Sequence, residues 1–323
     1  MKAISVDGEQ LVWRDASKPV LGKNDVLVRN RATAINRADL MQRAGLYPSP
    51  PGASDIMGLE CAGTIEALGS DVTGWKEGDK VCALLAGGGY AQYTAVPDGQ
   101  LLPVPDEFSF EQAAALPEVF ATAYLNIFIE AAAKPGERVL LHAGASGVGT
   151  AAIQLCGVFE NPCMVTVGGV DKIDYCQSLG ASAGFDRHSG DSFVACVKEW
   201  AGDNGVDVIL DPVGASYLAD NQQCLAVDGR MLVIGLMGGL SAELNLGAML
   251  MKRQRIIGST LRSRSLSAKA ELIGELRKHV WPQFNSGVLK PVIEKVLPIE
   301  DADQAHALVA SNKTIGKVVL SIS

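Results

Sequence analysis

Residues 137–159 read ERVLLHAGASGVGTAAIQLCGVF, and this stretch decides the fold. Arg138 to His142 is a short, mostly apolar run that fits a strand buried in a parallel sheet. It runs into Gly144-Ala145-Ser146-Gly147-Val148-Gly149, after which Thr150 to Phe159 takes up helical apolar spacing. Strand, glycine turn and helix in that order aim free backbone N–H groups and a helix N-terminus at an anion such as a pyrophosphate. Glycines let the backbone approach such a ligand with no Cβ in the way. The spacing is Gly-x-x-Gly-x-Gly rather than the strict Gly-x-Gly-x-x-Gly, and a plain glycine turn would read the same way. The rest of the chain has to decide.

Downstream, strands near Met164–Val167, Ala183–Asp186, Val206–Asp211, Arg230–Ile234 and Arg255–Thr260 alternate with helices near Lys172–Leu179, Phe193–Ala201 and Tyr217–Leu225. That succession predicts a parallel, doubly wound sheet. Upstream, from Met1 to about Pro117, the texture is β: short apolar runs separated by Pro48 to Gly52, Gly87 to Gly89 and Pro103-Val104-Pro105. The last stretch, Pro291 to Ser323, returns to short β runs and is expected to fold back onto the first domain. The expected class is α/β, with a Rossmann sheet (residues 120–287) inserted in a mostly β domain (residues 1–119 and 288–323).

At 323 residues, two domains are the natural expectation. A net charge of −8 argues against a nucleic-acid or anionic-membrane surface. Seven scattered cysteines without a CxxC pair read as reduced thiols of a cytosolic compartment. The chain opens on a strand-like MKAISV with no leader pattern, and Val119 to Ala133 is too short to span a bilayer. The expectation is a cytoplasmic protein.

Several blocks carry a family resemblance. They are Asn36-Arg37-Ala38-Asp39-Leu40-Met41-Gln42-Arg43, Pro50-Pro51-Gly52-Ala53-Ser54, Gly58-Leu59-Glu60, His142 to Gly149, Gly235-Leu236-Met237-Gly238-Gly239, Leu261-Arg262-Ser263-Arg264 and Ile315-Gly316-Lys317. Together they resemble the zinc-free quinone oxidoreductase branch of the medium-chain dehydrogenase/reductase superfamily, and most closely its tumour-suppressor-inducible members. The resemblance covers essentially the whole length and implies a GroES-like catalytic domain around the Rossmann insertion. It also implies a homodimer joined through the edge strand of the Rossmann sheet, Arg255 to Thr260.

Zinc alcohol dehydrogenases share this architecture, and a catalytic zinc needs converging Cys, His and carboxylate ligands. Here Leu59 stands where the family's ligand histidine would be, Asn36-Arg37 replaces the cysteine region, and no structural-zinc cysteine cluster is present. No metal is expected. NAD sites place an Asp or Glu at the end of the second strand. This chain has Gly168-Gly169 there, followed by Lys172, with Arg187 after the third strand. Two cations at that position favour NADPH and its 2′-phosphate, although both would look the same as solvated surface charges and Asp171 argues the other way.

The resemblance implies cofactor contacts from Asn36, Thr122, Leu261 and Lys317, and from the glycine turn at Gly144, Ser146, Gly147, Val148 and Gly149. Gly235, Leu236 and Met237 end the fifth strand, where a backbone must pass close to a ligand. Arg262 and Arg264 lie just past the sixth strand, to gate the pocket, to contact the cofactor or to serve as surface charges. Tyr47 and Ser146 match hydroxyl positions the family implicates in activity; Tyr47 could donate a hydrogen bond to a developing oxyanion, whereas Ser146 reads equally as a phosphate-turn hydroxyl. His142 reads as a strand-end histidine bonded to backbone. Three functions follow: an NADPH-dependent quinone reductase, an NADPH-dependent reductase of α,β-unsaturated carbonyls, or a non-catalytic NADPH-binding protein. The partners expected are a small quinone or enone, with no nucleic acid and no membrane.

Overall fold

Val139-Leu140-Leu141-His142 is buried along its whole length, as is Cys163 to Val167 beside it. Strands with no solvent face must be covered on both sides, which is the condition of a parallel sheet between helices. The computed structural model describes all 323 residues. It divides the chain into two units, Met1–Ala121 with Leu261–Ser323, and Thr122–Thr260.

The first unit begins with β1 (Lys2–Asp7), β2 (Gln10–Asp15), β3 (Asp25–Ala34), α1 (Arg37–Arg43), β4 (Glu60–Leu68), β5 (Lys80–Leu84), β6 (Tyr93–Pro97), β7 (Leu101–Pro103) and α2 (Phe110–Ala114). Then α3 (Pro117–Tyr124) carries the chain out. The second unit holds β8 (Val139–His142), α4 (Gly147–Val158), β9 (Cys163–Val167), α5 (Val170–Ser178), β10 (Ala183–Asp186), α6 (Phe193–Ala201), β11 (Val206–Asp211), α7 (Leu218–Cys224), β12 (Leu225–Val233), α8 (Leu246–Lys252) and β13 (Arg255–Gly258). The chain returns through α9 (Leu266–His279), α10 (Trp281–Asn285), β14 (Ile293–Pro298), α11 (Ala302–Ala310) and β15 (Lys317–Ser321).

In the second unit the strand order is β10-β9-β8-β11-β12-β13, all parallel. This is the Rossmann order, with the reversal beside β8. One face of the sheet packs Leu140, Met164, Ile209 and Met231 against Phe193, Val197 and Ala201 of α6. In the first unit the order is β14-β15-β3-β4-β5-β7, with β6 also on β3. The β14–β15 pair is parallel, whereas β15–β3, β3–β4, β4–β5, β5–β7 and β3–β6 are antiparallel. This is the GroES-like half of the fold.

Two sequence expectations change. The return crossing lies between Thr260 and Leu261 rather than at 287–288. The reason is packing: Trp281 Nε1 donates to Pro103 O at 2.7 Å, and the Phe284 ring meets Phe108 and Phe120. The terminal stretch is not purely β, because α11 lies between its strands and buries Ala302, Ala305 and His306. All seven cysteines are free thiols. No helix is long and apolar enough to cross a membrane.

Candidate functional site

In the second unit, the turn after β8 feeds the N-terminus of α4. Ser146 is the N-cap, and its Oγ accepts from Gly149 N at 3.1 Å. The first N–H groups of a helix have no intrahelical carbonyl partner, which leaves Gly147 and Val148 donors facing outward from the helix end. The glycines serve packing. A Cβ on Gly144 would lie 2.5 Å from Val165 Cβ, and one on Gly149 would lie 2.4 Å from Gly144 O. Ser146 thus caps the helix through its Oγ lone pair, which leaves the hydroxyl hydrogen uncommitted by that bond.

A second feature lies at the end of β9. A Cβ on Gly168 would stand 3.0 Å from Arg187 Nε and 3.1 Å from His188 Nε2. Both side chains therefore pass over this glycine, and both residues are exposed. Lys172, on α5, is buried, unlike a solvated surface lysine. His188 escaped the sequence reading, although its place beside Arg187 in a turn after β10 was a usable signal.

His142 is buried, and its ring nitrogens meet side chains rather than backbone: Thr166 Oγ1 at 2.9 Å and Asn221 Oδ1 at 2.7 Å. Asn221 Nδ2 donates to Asp211 Oδ2 at 3.1 Å, while Asp211 Oδ1 accepts from Val213 N and Gly214 N. Burial depresses the His142 pKa, with the Asp211 charge and the Asn221 hydrogen bond opposing it. The network fixes the 212–214 turn against the 235–239 loop, where a Gly235 Cβ would meet Pro212 O at 2.6 Å. Leu236 and Met237 are exposed beside it.

The first unit holds a buried charge cluster. Glu60 Oε1 lies 2.8 Å from Lys317 Nζ and 2.9 Å from Asn36 Nδ2, while Oε2 accepts from Glu118 N at 2.9 Å. Lys317 Nζ also donates to Ile35 O and Asn36 Oδ1, both at 2.7 Å. Its three N–H donors all meet protein acceptors, which makes Lys317 a buried counter-ion to Glu60. Asn36 is similarly committed, since Nδ2 also reaches Ala34 O at 3.3 Å. Thr122, on α3, accepts through its carbonyl from Asn126 Nδ2 at 2.7 Å. Burial, reinforced by the Glu60 charge, lifts the Glu118 carboxyl to about 8.

Tyr47 sits half-buried in the loop after α1. Burial raises its phenol pKa, the Arg262 guanidinium pulls it down and Glu118 pushes it up. Arg262 is buried and spends its donors on Ala86 O, Tyr47 O, Gln42 Oε1 and Ser49 Oγ. These bonds tie Arg262 to the loop that carries Tyr47. Leu261 beside it is buried.

Comparison with known proteins gives two family matches: "Alcohol dehydrogenase GroES-like domain" over residues 22–106 and "Zinc-binding dehydrogenase" over residues 179–320. A rat protein described as a synaptic vesicle membrane protein VAT-1 homolog is 33% identical over 97% of this chain and 81% of its own. A rat quinone oxidoreductase is 32% identical over 95% of this chain and 92% of its own. A mycobacterial protein solved in complex with NADPH is 27% identical and superposes at a TM-score of 0.89 over the whole of both chains.

The zinc in the second family's description meets no fitting donor set. Leu59 is a buried hydrocarbon beside Glu60, whose carboxylate is taken by Lys317, Asn36 and Glu118 N. No group of three or more His, Cys, Asp or Glu side chains is placed to hold a metal ion. A nicotinamide dinucleotide fits better: the α4 end has N–H groups for a pyrophosphate, and Arg187 brings a positive charge to Gly168 beside the His188 ring.

Proposed function

The chain belongs to the medium-chain dehydrogenase/reductase superfamily and is an oxidoreductase of that family; on that premise we propose that it is a zinc-independent, NADPH-dependent quinone reductase. The observation that carries the cofactor choice is the end of β9, where Gly168 lies under Arg187 and His188, while the nearest carboxylate, that of Asp171, lies beside the following Gly169. The quinone rests on the similarity to a quinone oxidoreductase along 95% of the chain.

Bound NADPH supplies the hydride. The protein's own residues bind and orient. Gly147 and Val148 N–H would hold the pyrophosphate, with the Ser146 hydroxyl hydrogen free to donate there. Arg187 and Lys172 would neutralise the 2′-phosphate, with His188 a neighbouring hydrogen-bonding ring. A quinone that accepts hydride becomes a hydroquinone anion, and the Tyr47 phenol is placed in this scheme to donate a hydrogen bond or its proton to that oxygen. Little else is required, because positioning of two bound reactants accounts for much of the acceleration. The exposed apolar face of α8, next to the free edge of β13, suits a second copy of the chain. We place the enzyme in a reducing compartment, in keeping with its seven free thiols.

The test is steady-state NADPH oxidation with a panel of ortho- and para-quinones beside a panel of enals, in wild type and Tyr47→Phe. Quinone turnover, with kcat falling about 10- to 1,000-fold in Tyr47→Phe and NADPH affinity unchanged, is the expected result. Turnover of enals alone would move the activity to α,β-unsaturated carbonyls. Cofactor binding with no turnover of either panel would leave a non-catalytic binding protein.

A further inference from the structure

We infer that Arg262 is the positioning residue of Tyr47, acting through the loop from Gln42 to Ile56 rather than on the cofactor. The inference rests on the reading of Tyr47 as the group that meets the reduced acceptor.

A guanidinium carries five N–H donors in a rigid plane. In Arg262, Nε donates to Ala86 O at 2.8 Å and Nη1 to Tyr47 O at 3.2 Å. Nη2 donates to Gln42 Oε1 at 2.7 Å and Ser49 Oγ at 3.2 Å. The acceptors are themselves cross-tied. Gln42 Nε2 donates to Ser49 Oγ at 3.2 Å and Asp55 O at 3.0 Å, and Ser49 Oγ donates to Ser54 O at 3.0 Å. One side chain thus joins α1, both flanks of Tyr47 and the segment after β5. The base of the clamp is fixed as well, since Lys269 Nζ on α9 donates to Arg262 O at 2.7 Å.

The same guanidinium lies over the tyrosine ring, with Cζ 5.2 Å from the centroid, within range of a cation–π contact. The loop supplies little regular structure of its own: Leu46 and Pro48 are exposed, and Gly45 and Gly52 hold positive φ of 73° and 82°. Without Arg262 the phenol would lose both its anchor and the positive charge that opposes burial and Glu118. A planar fork with several acceptors is not replaceable by a lysine point charge.

The test uses Arg262→Lys and Arg262→Gln, each in wild-type and Tyr47→Phe backgrounds, with three readouts. These are NADPH affinity by fluorescence, kcat and KM for a para-quinone, and the Tyr47 phenol titration taken as the ultraviolet difference between each protein and its Tyr47→Phe partner. Arg262→Gln should leave NADPH affinity unchanged, lower kcat about 10- to 100-fold by misplacing the phenol, and move the Tyr47 titration to higher pH. Arg262→Lys should keep the charge and recover the titration more than kcat. In the Tyr47→Phe background Arg262→Gln should cost no further kcat. Lost NADPH affinity with kcat intact would overturn the inference in favour of a cofactor contact. Equal kcat losses in the two backgrounds would reduce Arg262 to general scaffolding. Wild-type kcat in Tyr47→Phe alone would sink the reading of Tyr47, yet the titration would still judge the clamp, which fails if Arg262→Gln leaves it unmoved.

Discussion

Lys317 Nζ lies 2.8 Å from Glu60 Oε1, and both side chains are buried. Removing one partner of such a pair leaves a charge with neither water nor counter-ion, a loss of about 3–5 kcal/mol. Lys317→Met is therefore expected to destabilise the protein by that amount in urea denaturation. Adding Glu60→Gln should restore much of it, because a neutral pair needs no buried counter-ion. A Lys317→Met variant as stable as wild type would show that the cluster relaxes without cost.

The same pair bears on metal. With Glu60 held by an ammonium and Leu59 offering only hydrocarbon, elemental analysis should find no stoichiometric zinc, and activity should persist in chelator. One zinc per chain, with activity lost on its removal, would defeat this.

At Gly168 the expectation is that NADPH binds at least about tenfold more tightly than NADH. A charge-assisted contact is worth roughly 1.5–3 kcal/mol when shielded and less when exposed, so even one modest contact to the 2′-phosphate suffices. Arg187→Ala, or Lys172→Ala, should erode that preference while NADH affinity stays where it was. Equal affinity of the wild type for the two cofactors would end the argument.

The sequence made the second unit legible where apolar runs were unbroken. Ala183–Asp186, Val206–Asp211 and the helix Phe193–Ala201 lie where periodicity placed them. It could not reveal that α9 and α10 belong with the first unit. That membership depends on contacts such as Trp281 to Pro103 and Phe284 to Phe120, which join residues far apart in the chain. The site shows the same division. Resemblance located Asn36, Arg262 and Lys317, but what each does depends on partners more than 200 residues away: Lys317 for Asn36, and Tyr47 and Gln42 for Arg262. Ser146 was more readable, because a serine immediately before a helix is a capping signal in its own right.

The apolar face of α8 bears on self-association. The helix buries none of its residues, and Leu250 and Met251 are 76% and 77% exposed. Next to it β13 ends the sheet, with its outer edge unpaired. An apolar helix beside an open strand edge is a surface that recruits a partner, and a second copy offers the same edge in return. Sedimentation should give a dimer of the 33.9 kDa chain, and Leu250→Glu with Met251→Glu should shift it toward monomer. A dilute wild-type sample that sediments as monomer would contradict this.

The last expectation concerns pH. Burial is the first cause lifting Glu118 to about 8; the Glu60 charge adds to it and Lys317 opposes it. An unfolded glutamate titrates near ~4.3, so between that value and about 8 the folded state holds a proton that the unfolded chain has released. Stability from this group is fully present below the unfolded pKa and is lost as pH rises through the folded one. Glu118→Gln keeps the shape and cannot ionise. Its stability relative to wild type should therefore rise steadily across that window, each 1 kcal/mol reading as about 2–4 °C in Tm. His306, depressed to about 4 by burial, contributes the opposite slope: its stability is lost as pH falls through that value. Both proteins carry it, so the difference between their curves isolates Glu118. Melting temperatures of the pair from pH 5 to 8.5 are the measurement. A constant offset across that range would mean that Glu118 is ionised in the folded protein, with Lys317 and Lys269 prevailing over burial.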